Sequence, residues 1–554
     1  MNNYKIAKEL LEIKTLLEIS GNTKGAYAFE HSALSILALE SSLTKYANLN
    51  FLPESVKEEV LNLESLGYSP LKETLEAKTP KVLKQIASIP GIRVNDVLKI
   101  YNFLNIDSLS DLEKAIKNGK VKKIFSDKFE EHLRRAIFYY ESSTKELSLF
   151  YASSYANSIV LACDGLGNIG IVGSVRRGKE VVNNIDFVYD FDEETLIETI
   201  NLNFDILNFE KRGNLIKFKD VDGVILKFFK IPKDYFYAGL QYYTGSKQHN
   251  KEIQEIAKTK GFDISKSGYI LIKANSEEDF YEKLSLQYVP PELREGEEEI
   301  ELSITHSLPK LITLSDIKGD LHVHSSFSDG LSTISELHEE AGLLDYEYLA
   351  ITDHSKGLKI ANGVSQKLYL KESELIDRIN NEKYSPYLLK GIEAEISFDG
   401  SVDVDEIILN KLDLALGGLH QFSNTRFENT ERVKKAIKSG IINIMAHPTN
   451  RIIFVRKSID VNIEEIFNTA SQFGVSLEVN VFPNRMDLST GLIKEARRAH
   501  VKFFSIGTDA HNRGHLYFMK YGIKILRRAW VKREEVLNTY RLEEIRDLLC
   551  VKTH

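Results

Sequence analysis

The 554-residue chain has only two cysteines, Cys163 and Cys550, far apart and outside any Cys-x-x-Cys pattern. That scarcity excludes a disulfide framework and a zinc ribbon, and it fits a reducing cytoplasm. Long apolar runs are missing as well: no window approaches the ~20 apolar residues that a membrane span needs. The opening Met-Asn-Asn-Tyr-Lys leads straight into an amphipathic helical pattern without a signal core, so no membrane association is expected. A surplus of positive charge is also absent, since 72 Lys and Arg against 80 Asp and Glu leave a net charge of −8. Any contact with nucleic acid must therefore come from local patches, not from a global basic field. No internal repeat or low-complexity tract stands out. A composition of 43% hydrophobic and 27% charged residues over this length describes a soluble protein of several domains.

Histidine, in contrast, is concentrated: most of the 14 lie after residue 319. In Gly319-Asp-Leu-His-Val-His-Ser-Ser-Phe-Ser-Asp-Gly330, His322 and His324 alternate on what reads as a short strand, so both imidazoles face one side, with Asp329 five residues on. Downstream, Thr352-Asp-His354, Gly391-Ile-Glu393, Gly418-Leu-His420, Met445-Ala-His447-Pro and Thr508-Asp509-Ala-His511 each set a His or carboxylate at or near the end of an apolar run. That recurrence of strand, ligand and helical segment is how an α/β barrel builds a site from the C-terminal ends of its strands. Imidazole with carboxylate suits Mn²⁺, Zn²⁺ or Fe²⁺. Clustered ions lower the pKa of bridging water and neutralise phosphate oxygens, so the expected reaction is phosphoester hydrolysis by attack of metal-bound hydroxide on phosphorus. Lys356, two residues after His354, and Arg451, four after His447, are candidate phosphate clamps, with a plain surface cation as the alternative for each. An isolated histidine such as His31 reads as a surface or helix residue and is given no role.

Asp-Leu-His-Val-His, Ile-Thr-Asp-His-Ser-Lys, Ala-His-Pro-Thr and Thr-Asp-Ala-His resemble the polymerase and histidinol phosphatase (PHP) superfamily of metal-dependent phosphoesterases. The resemblance implies a distorted, TIM-like α/β barrel over residues 319–554 and nine ligands for three divalent cations, Mn²⁺ first, with Zn²⁺ or Fe²⁺ as alternatives. Those nine are His322, His324, Asp329, His354, Glu393, His420, His447, Asp509 and His511. By the same resemblance His322, His324, Glu393 and Asp509 hold one ion, Glu393 bridges to a second with His420 and His447, and Asp329, His354 and His511 hold the third.

The first 145 or so residues read as short helices joined by tight turns, from apolar spacing in Ile6–Ile13 and Val82–Ile89. The second run enters Pro90-Gly91-Ile92-Arg93, which resembles a helix-hairpin-helix turn whose amides hold a DNA phosphate. Read as ordinary helix punctuation, it would carry no function. Gly173-Ser174-Val-Arg176-Arg177-Gly178, Ile231-Pro232, Tyr242-Tyr243-Thr244-Gly245-Ser246 and Pro290-Pro-Glu-Leu-Arg-Glu295 resemble family X DNA polymerases, and with the PHP-like part they resemble the bacterial members over essentially the full length. The resemblance implies a multi-domain fold. An all-α N-terminal part comprises a lyase-like unit at 1–80 and a helix-hairpin-helix unit at 81–145. An α+β nucleotidyltransferase-like palm (146–232) and thumb (233–295) follow, then a linker (296–318) and the barrel. It also implies that Ser174 and Arg177 hold a nucleotide triphosphate, that Tyr242, Tyr243, Thr244 and Gly245 contact its sugar and base, and that Pro90, Gly91 and Arg93 meet DNA.

Two departures cut against polymerisation. Family X enzymes hold two Mg²⁺ ions with three carboxylates. Here Asp186 matches the second, while Asn184 and Lys227 stand at the first and third. One negative, one neutral and one positive group should not hold two Mg²⁺ ions; Lys227 is expected to pair with Asp186, leaving that carboxylate vestigial. Asp220 and Asp222 precede the strand and are poor substitutes. The hairpin segments are also eroded, since Asn50-Phe-Leu-Pro53 and Ile124-Phe-Ser126 lack the glycine that allows close backbone approach to phosphate. The chain thus reads as a cytoplasmic, monomeric 3′–5′ exonuclease or 3′-end phosphoesterase acting on gapped, nicked or 3′-recessed DNA. The alternatives are a gap-filling polymerase with a proofreading nuclease, a small-molecule phosphatase of histidinol-phosphatase type, and a non-catalytic DNA-binding protein.

Overall fold

Ile6, Leu10, Ile13 and Leu17 recur on one face of helix α1 (Asn3–Ile19), which is capped by the Asn2 side chain accepting the Lys5 N–H. Helix α2 (Thr23–Ala38) follows after a short turn and is capped in the same way by Asn22. The chain is a computed structural model that describes residues 1–45, 49–87, 89, 92–141, 145–383 and 385–549. The buried apolar residues of α1 and α2 join those of the C-terminal barrel in one continuous core, from Ile6 and Phe29 to Phe518 and Ile525. The N-terminal helices therefore lean on the barrel, which their sequence position does not suggest. Helices Lys81–Ala87, Val94–Leu104, Leu109–Lys117 and Asp127–Glu141 enclose a separate small core around Ile86, Ile100 and Leu112. Pro90 and Gly91 of the expected hairpin lie outside the described residues, as does Cys550, while Cys163 is buried and free.

Strands β1 (Leu147–Ser148) and β3 (Val181–Val182) form a short ribbon beside a five-stranded sheet. That sheet runs β2 (Ile169–Val172), β4 (Ile185–Tyr189), β7 (Ile225–Lys230), β6 (Leu215–Asp220), β5 (Ile206–Arg212). Its buried face stacks Phe187 on Phe228 with Phe218 edge-on. β4 and β7 are parallel, and their register sets Asp186 opposite Lys227. A thumb of short helices follows around Ile253, Phe280 and Tyr281. The stretch 296–318, expected to be a linker, is packed instead: Ile300 and Leu311 enter the thumb core, and buried Glu299 bonds the His249 ring at 2.9 Å.

The barrel is a single sheet of seven parallel strands: β8 (Gly319–Asp320), β9 (Tyr348–Ile351), β10 (Tyr387–Glu395), β11 (Leu414–Gly418), β12 (Ile444–Met445), β13 (Ser476–Asn480) and β14 (Phe504–Gly507). Covered on both faces, these strands are almost wholly buried and read as apolar runs, not as alternating ones. A parallel bridge between Val323 and Ala510 draws the ends of β8 and β14 together, so the barrel is nearly closed. The expected multi-domain architecture, with a helical N-terminal region, a polymerase-like middle and a C-terminal distorted barrel, is what the chain adopts. No described helix is long and apolar enough to cross a membrane.

Candidate functional site

The seven strands end in one place. His322 and His324 follow β8 and His354 follows β9; Glu393 lies in β10, and His420, His447 and Asp509 with His511 follow β11, β12 and β14. Asp329 arrives from the loop after His324. All nine expected ligands are thus brought together at the C-terminal mouth. Three sets have ligand atoms mutually within 4.8 Å: His324, Asp329, His354 and His511; His322, His324 and Asp509; and His354, Glu393 and His420. The expected grouping differs in detail, because His324 also faces the Asp329 set and His354 also faces Glu393. The two carboxylate oxygens of Glu393 meet five imidazoles, at 3.4 Å (His322), 3.6 Å (His324), 2.9 Å (His354), 3.2 Å (His420) and 2.8 Å (His447). His447 and Asp509 hold φ at 27° and 55°, a left-handed conformation that non-glycine residues adopt at a cost and that recurs at working sites.

The outer nitrogen of several rings is already committed. His322 Nδ1 lies 2.5 Å from Glu478 Oε1, His420 Nδ1 2.7 Å from Glu395 Oε2, and His511 Nδ1 2.7 Å from the Asp509 carbonyl. Each acceptor takes the proton on Nδ1 and turns Nε2 toward the centre, the arrangement found around ligating histidines. Inward, those lone pairs meet further acceptors. His322 Nε2 is 3.1 Å from His324 Nε2, and His324 Nε2 is 3.1 Å from Asp509 Oδ1. His324 Nδ1 and His447 Nδ1 are buried without a hydrogen-bond partner. Such a crowd of buried bases repels itself unless protons or cations enter. The residues present therefore fit divalent cations. Burial opposes charge on His420, but the Glu393 and Glu395 carboxylates outweigh it and lift the ring to about 9. Burial opposes charge on Glu393 too, yet the His354, His420 and His322 rings hold it well below the usual carboxylate range.

Lys356 is exposed on the loop after His354. Arg451 is neither clamp nor loose surface cation: it donates to the Arg485 carbonyl at 3.0 Å and to the Met486 carbonyl, bracing that loop. The guanidinium that does reach the centre is that of Arg485. Its Nε is 3.3 Å from Asp509 Oδ2, and Nη1 donates to Asn450 Oδ1 at 2.8 Å. Glu478, Glu395, Arg485 and Asn480, which donates to Asp509 Oδ2 at 3.1 Å, were not among the expected site residues. Glu395 carries a readable signal, sitting two residues from Glu393 on one strand and so facing the same side. His31, given no role from sequence, is buried with its ring centroid 5.6 Å from that of His511.

The palm site is assembled differently. Lys227 Nζ stands 4.0 Å from Asp186 Oδ1, and the Asn184 amide donates to the same oxygen at 2.5 Å. Gly173 turns at φ 65°, where a Cβ would meet Asp186 Oδ2 at 2.6 Å, so the backbone just before Ser174 lies directly on this carboxylate. Arg177 is engaged by Glu295 at 2.8 Å and by the Thr244 carbonyl, and the barrel's Arg528 donates to both Glu295 and the Arg177 carbonyl, at 2.8 and 2.7 Å. Arg176 donates to Thr244 Oγ1 at 2.8 Å and pairs with Glu277. Tyr243 stacks on Phe229 and accepts from Asn214 at 3.1 Å; Tyr242 packs under Gly268, and Gly245 turns at φ 71°. The two expected nucleotide motifs do meet, but their cations are spent on the protein itself. Asp222 pairs with Lys8 at 2.7 Å, and Asp220 accepts the Val224 N–H at 2.8 Å at the β6–β7 turn, so neither stands in for the missing carboxylate. Arg93 is exposed and donates to Asp96 at 2.8 Å.

Two protein-family models match the chain, the DNA polymerase beta thumb over residues 239–295 and the PHP domain over residues 320–480. The chain is 29% identical to the DNA polymerase/3′-5′ exonuclease PolX of Bacillus subtilis (strain 168), a match that covers 99% of both proteins. It is also 28% identical over 235 residues, 40% of this chain and 89% of the relative, to a "Probable phosphatase" of Thermoanaerobacter sp., and equally to one of Thermoanaerobacter pseudethanolicus.

Proposed function

Because the chain belongs to the family X polymerases that carry a PHP domain, we propose that it is a metal-dependent 3′–5′ exonuclease or 3′-end phosphoesterase of DNA whose polymerase-like region binds DNA without extending it. The observation that carries this reading is the convergence of five imidazoles on the two oxygens of Glu393, in a chain whose palm carboxylate faces a lysine. His322, His324, Asp329, His354, Glu393, His420, His447, Asp509 and His511 would hold two or three divalent cations, with Mn²⁺ the first candidate. When bound, such ions activate water and neutralise phosphate charge.

The chain's own groups do the rest. Glu478 and Glu395 orient His322 and His420, hold the Nδ1 proton and make the inner nitrogens stronger donors to a cation. Arg485 offers a guanidinium to a phosphate oxygen beside Asp509, and exposed Lys356, two residues after His354, offers a second charge. In the palm, Asp186 is neutralised by Lys227 and the nucleotide-facing arginine is occupied by Glu295, so cations and triphosphate both lack a receptor. The region retains its likeness to a DNA-binding enzyme and would serve as a scaffold for gapped, nicked or 3′-recessed DNA.

The phosphatase relatives favour one second reading, hydrolysis of small phosphate monoesters in the same centre. Protein stripped and reloaded with Mn²⁺ is incubated with 5′-labelled, 3′-recessed DNA, with and without the four deoxynucleotides, beside His322→Ala. Metal- and His322-dependent shortening without extension is the expected result. Primer extension would overturn the silent palm, and an intact primer with active monoester hydrolysis would favour the second reading.

A further inference from the structure

The hairpin α1–α2 touches both halves of the molecule. On one side α1 meets the palm, where Tyr4 stacks on Tyr155 at 4.1 Å, Lys5 pairs with Asp205 at 3.0 Å and Asn2 donates to the Asn203 carbonyl at 3.0 Å. On the other side α2 lies against the segment that follows His511. Gly514 approaches so closely that a Cβ there would meet Ser35 Oγ at 2.6 Å. Lys520 donates to the Ala38 carbonyl at 2.8 Å, and Asn512 to the Phe51 carbonyl at 3.3 Å.

Two of these contacts end on expected ligands. The Tyr27 hydroxyl donates to the Asp329 backbone carbonyl at 3.0 Å, across 302 positions of sequence. His515 donates from Nε2 to the His31 carbonyl at 3.0 Å, which leaves Nδ1 to accept the His511 backbone N–H at 3.3 Å. The rings of Tyr27 and His31 lie tilted 4.0 Å apart, and His31 stacks on His515 at 5.0 Å and meets His511 at a tilt at 5.6 Å. Asp329 and His511 also face each other, with Oδ1 and Nε2 3.5 Å apart, and both belong to the four-residue set with His324 and His354. That set includes Asp329, the ligand that lies furthest beyond the end of its strand, so its geometry depends on what holds the loop.

We propose that α2 is a wall of the phosphoesterase centre: Tyr27 and His515 are positioning residues that hold Asp329 and His511, and occupancy of the cation position between them depends on docking of the N-terminal hairpin. This rests on the reading of the barrel as a metal-dependent phosphoesterase. It makes the N-terminal unit part of the nuclease and gives the polymerase-like half a mechanical path to it, because the same hairpin is clamped to the palm through α1. The other nearby sets, built on Glu393, His322 and Asp509, have no contact with α2 in this network and should fill without it.

The test is Tyr27→Phe, which removes one hydroxyl and keeps the ring, with Lys5→Ala on the palm side of the hairpin as the comparison. Bound Mn²⁺ is counted by elemental mass spectrometry after equilibrium dialysis over a range of free Mn²⁺, and exonuclease rates are taken at each concentration. In Tyr27→Phe the weakest-bound ion should need ~10-fold or more free Mn²⁺, as for other residues that support a ligand. The tighter ions should be unchanged, and millimolar Mn²⁺ should restore the rate. Lys5→Ala should bind like the parent chain. Equal affinity for the weakest ion in Tyr27→Phe and the parent would overturn this inference alone. Failure of the parent chain to bind Mn²⁺ at all would overturn the phosphoesterase reading and this inference with it.

Discussion

In the barrel, Glu393 has five imidazole rings within 3.6 Å; in the palm, Asp186 has Lys227 at 4.0 Å and the Asn184 amide at 2.5 Å. Glu393 is buried in β10 and Asp186 half-buried near the start of β4, and their neighbours answer the need of a carboxylate in opposite ways. An imidazole whose outer nitrogen is committed to a carboxylate or carbonyl presents a lone pair, so the Glu393 cage remains a set of bases and calls for an added cation. A lysine or arginine brings a fixed positive charge and closes the account locally. The palm goes further, since Arg176 and Arg177 are held by Glu277 and Glu295 and the barrel's Arg528 bonds into the same knot. The comparison teaches that a site's readiness for cations is set by whether its charges are matched from within.

The sharpest way to break that contrast is to convert the palm into the barrel's condition. Asn184→Asp with Lys227→Asp changes the formal charge by −1 and −2, a total of −3, and each unit pair near 4 Å is worth on the order of 4 kcal/mol at an intermediate dielectric. The double variant should bind one or two further Mg²⁺ or Mn²⁺ ions than the parent chain, counted by elemental mass spectrometry. If no ion is gained, the strand charges are not what keeps the palm closed, and the Arg177–Glu295–Arg528 knot becomes the explanation. Next in size, Glu277→Gln leaves Arg294 buried with its principal partner removed, and it should cost about 3–5 kcal/mol in urea unfolding. The same loss should follow from acid. Burial raises the Glu277 carboxyl, but Arg294 and Arg176 outweigh it and hold it at about 2. A depressed carboxylate stabilises the fold above its ordinary value near 4.5, and that contribution drains away as pH falls from there toward 2. Unfolding that is flat across this window would mean that the arginines here are solvated and free for a nucleotide.

The barrel centre was legible because six of the seven strands carry or lead into ligands, so the nine residues stand in short motifs whose spacing survives reading in one dimension. Glu395 was readable on the same logic, two residues from Glu393. Arg485 was not: it lies in a loop whose carbonyls Arg451 holds, and nothing local distinguishes the arginine that braces from the one that reaches inward. Lys227 was legible because register across a parallel pair fixes its neighbour, and Asp186 does sit opposite it. The closure of Arg177 by Glu295 and Arg528 was not, since it joins residues 118 and 351 positions away. For the same reason Tyr27 and His31 look like ordinary helix residues until α2 is laid on the barrel. On the barrel side of the contrast, Glu393→Gln removes the charge that the rings share and should lower exonuclease rate at fixed Mn²⁺ by about 10²- to 10³-fold, the scale of several kcal/mol of metal-derived stabilisation. A change below tenfold would mean that Glu393 is a spectator of the cations.

The smallest expected effect asks how much of the cage's basicity comes from outside it. Glu478 touches no other group at the mouth as closely as His322 Nδ1, at 2.5 Å, and it also accepts the His447 backbone N–H at 2.6 Å. Glu478→Gln keeps the shape and one acceptor oxygen but removes the charge that makes the His322 ring a stronger base, so Mn²⁺ affinity should fall about 10- to 100-fold by titration while the tertiary fold holds. Adding Glu395→Gln, which does the same for His420, should lower affinity again, because the two carboxylates serve different rings on different strands. Should both variants bind Mn²⁺ as the parent does, the difference between barrel and palm would lie in ligand identity alone. A weakened but correctly counted set of ions would instead show that the carboxylates behind the imidazoles add to the barrel's readiness for cations without creating it.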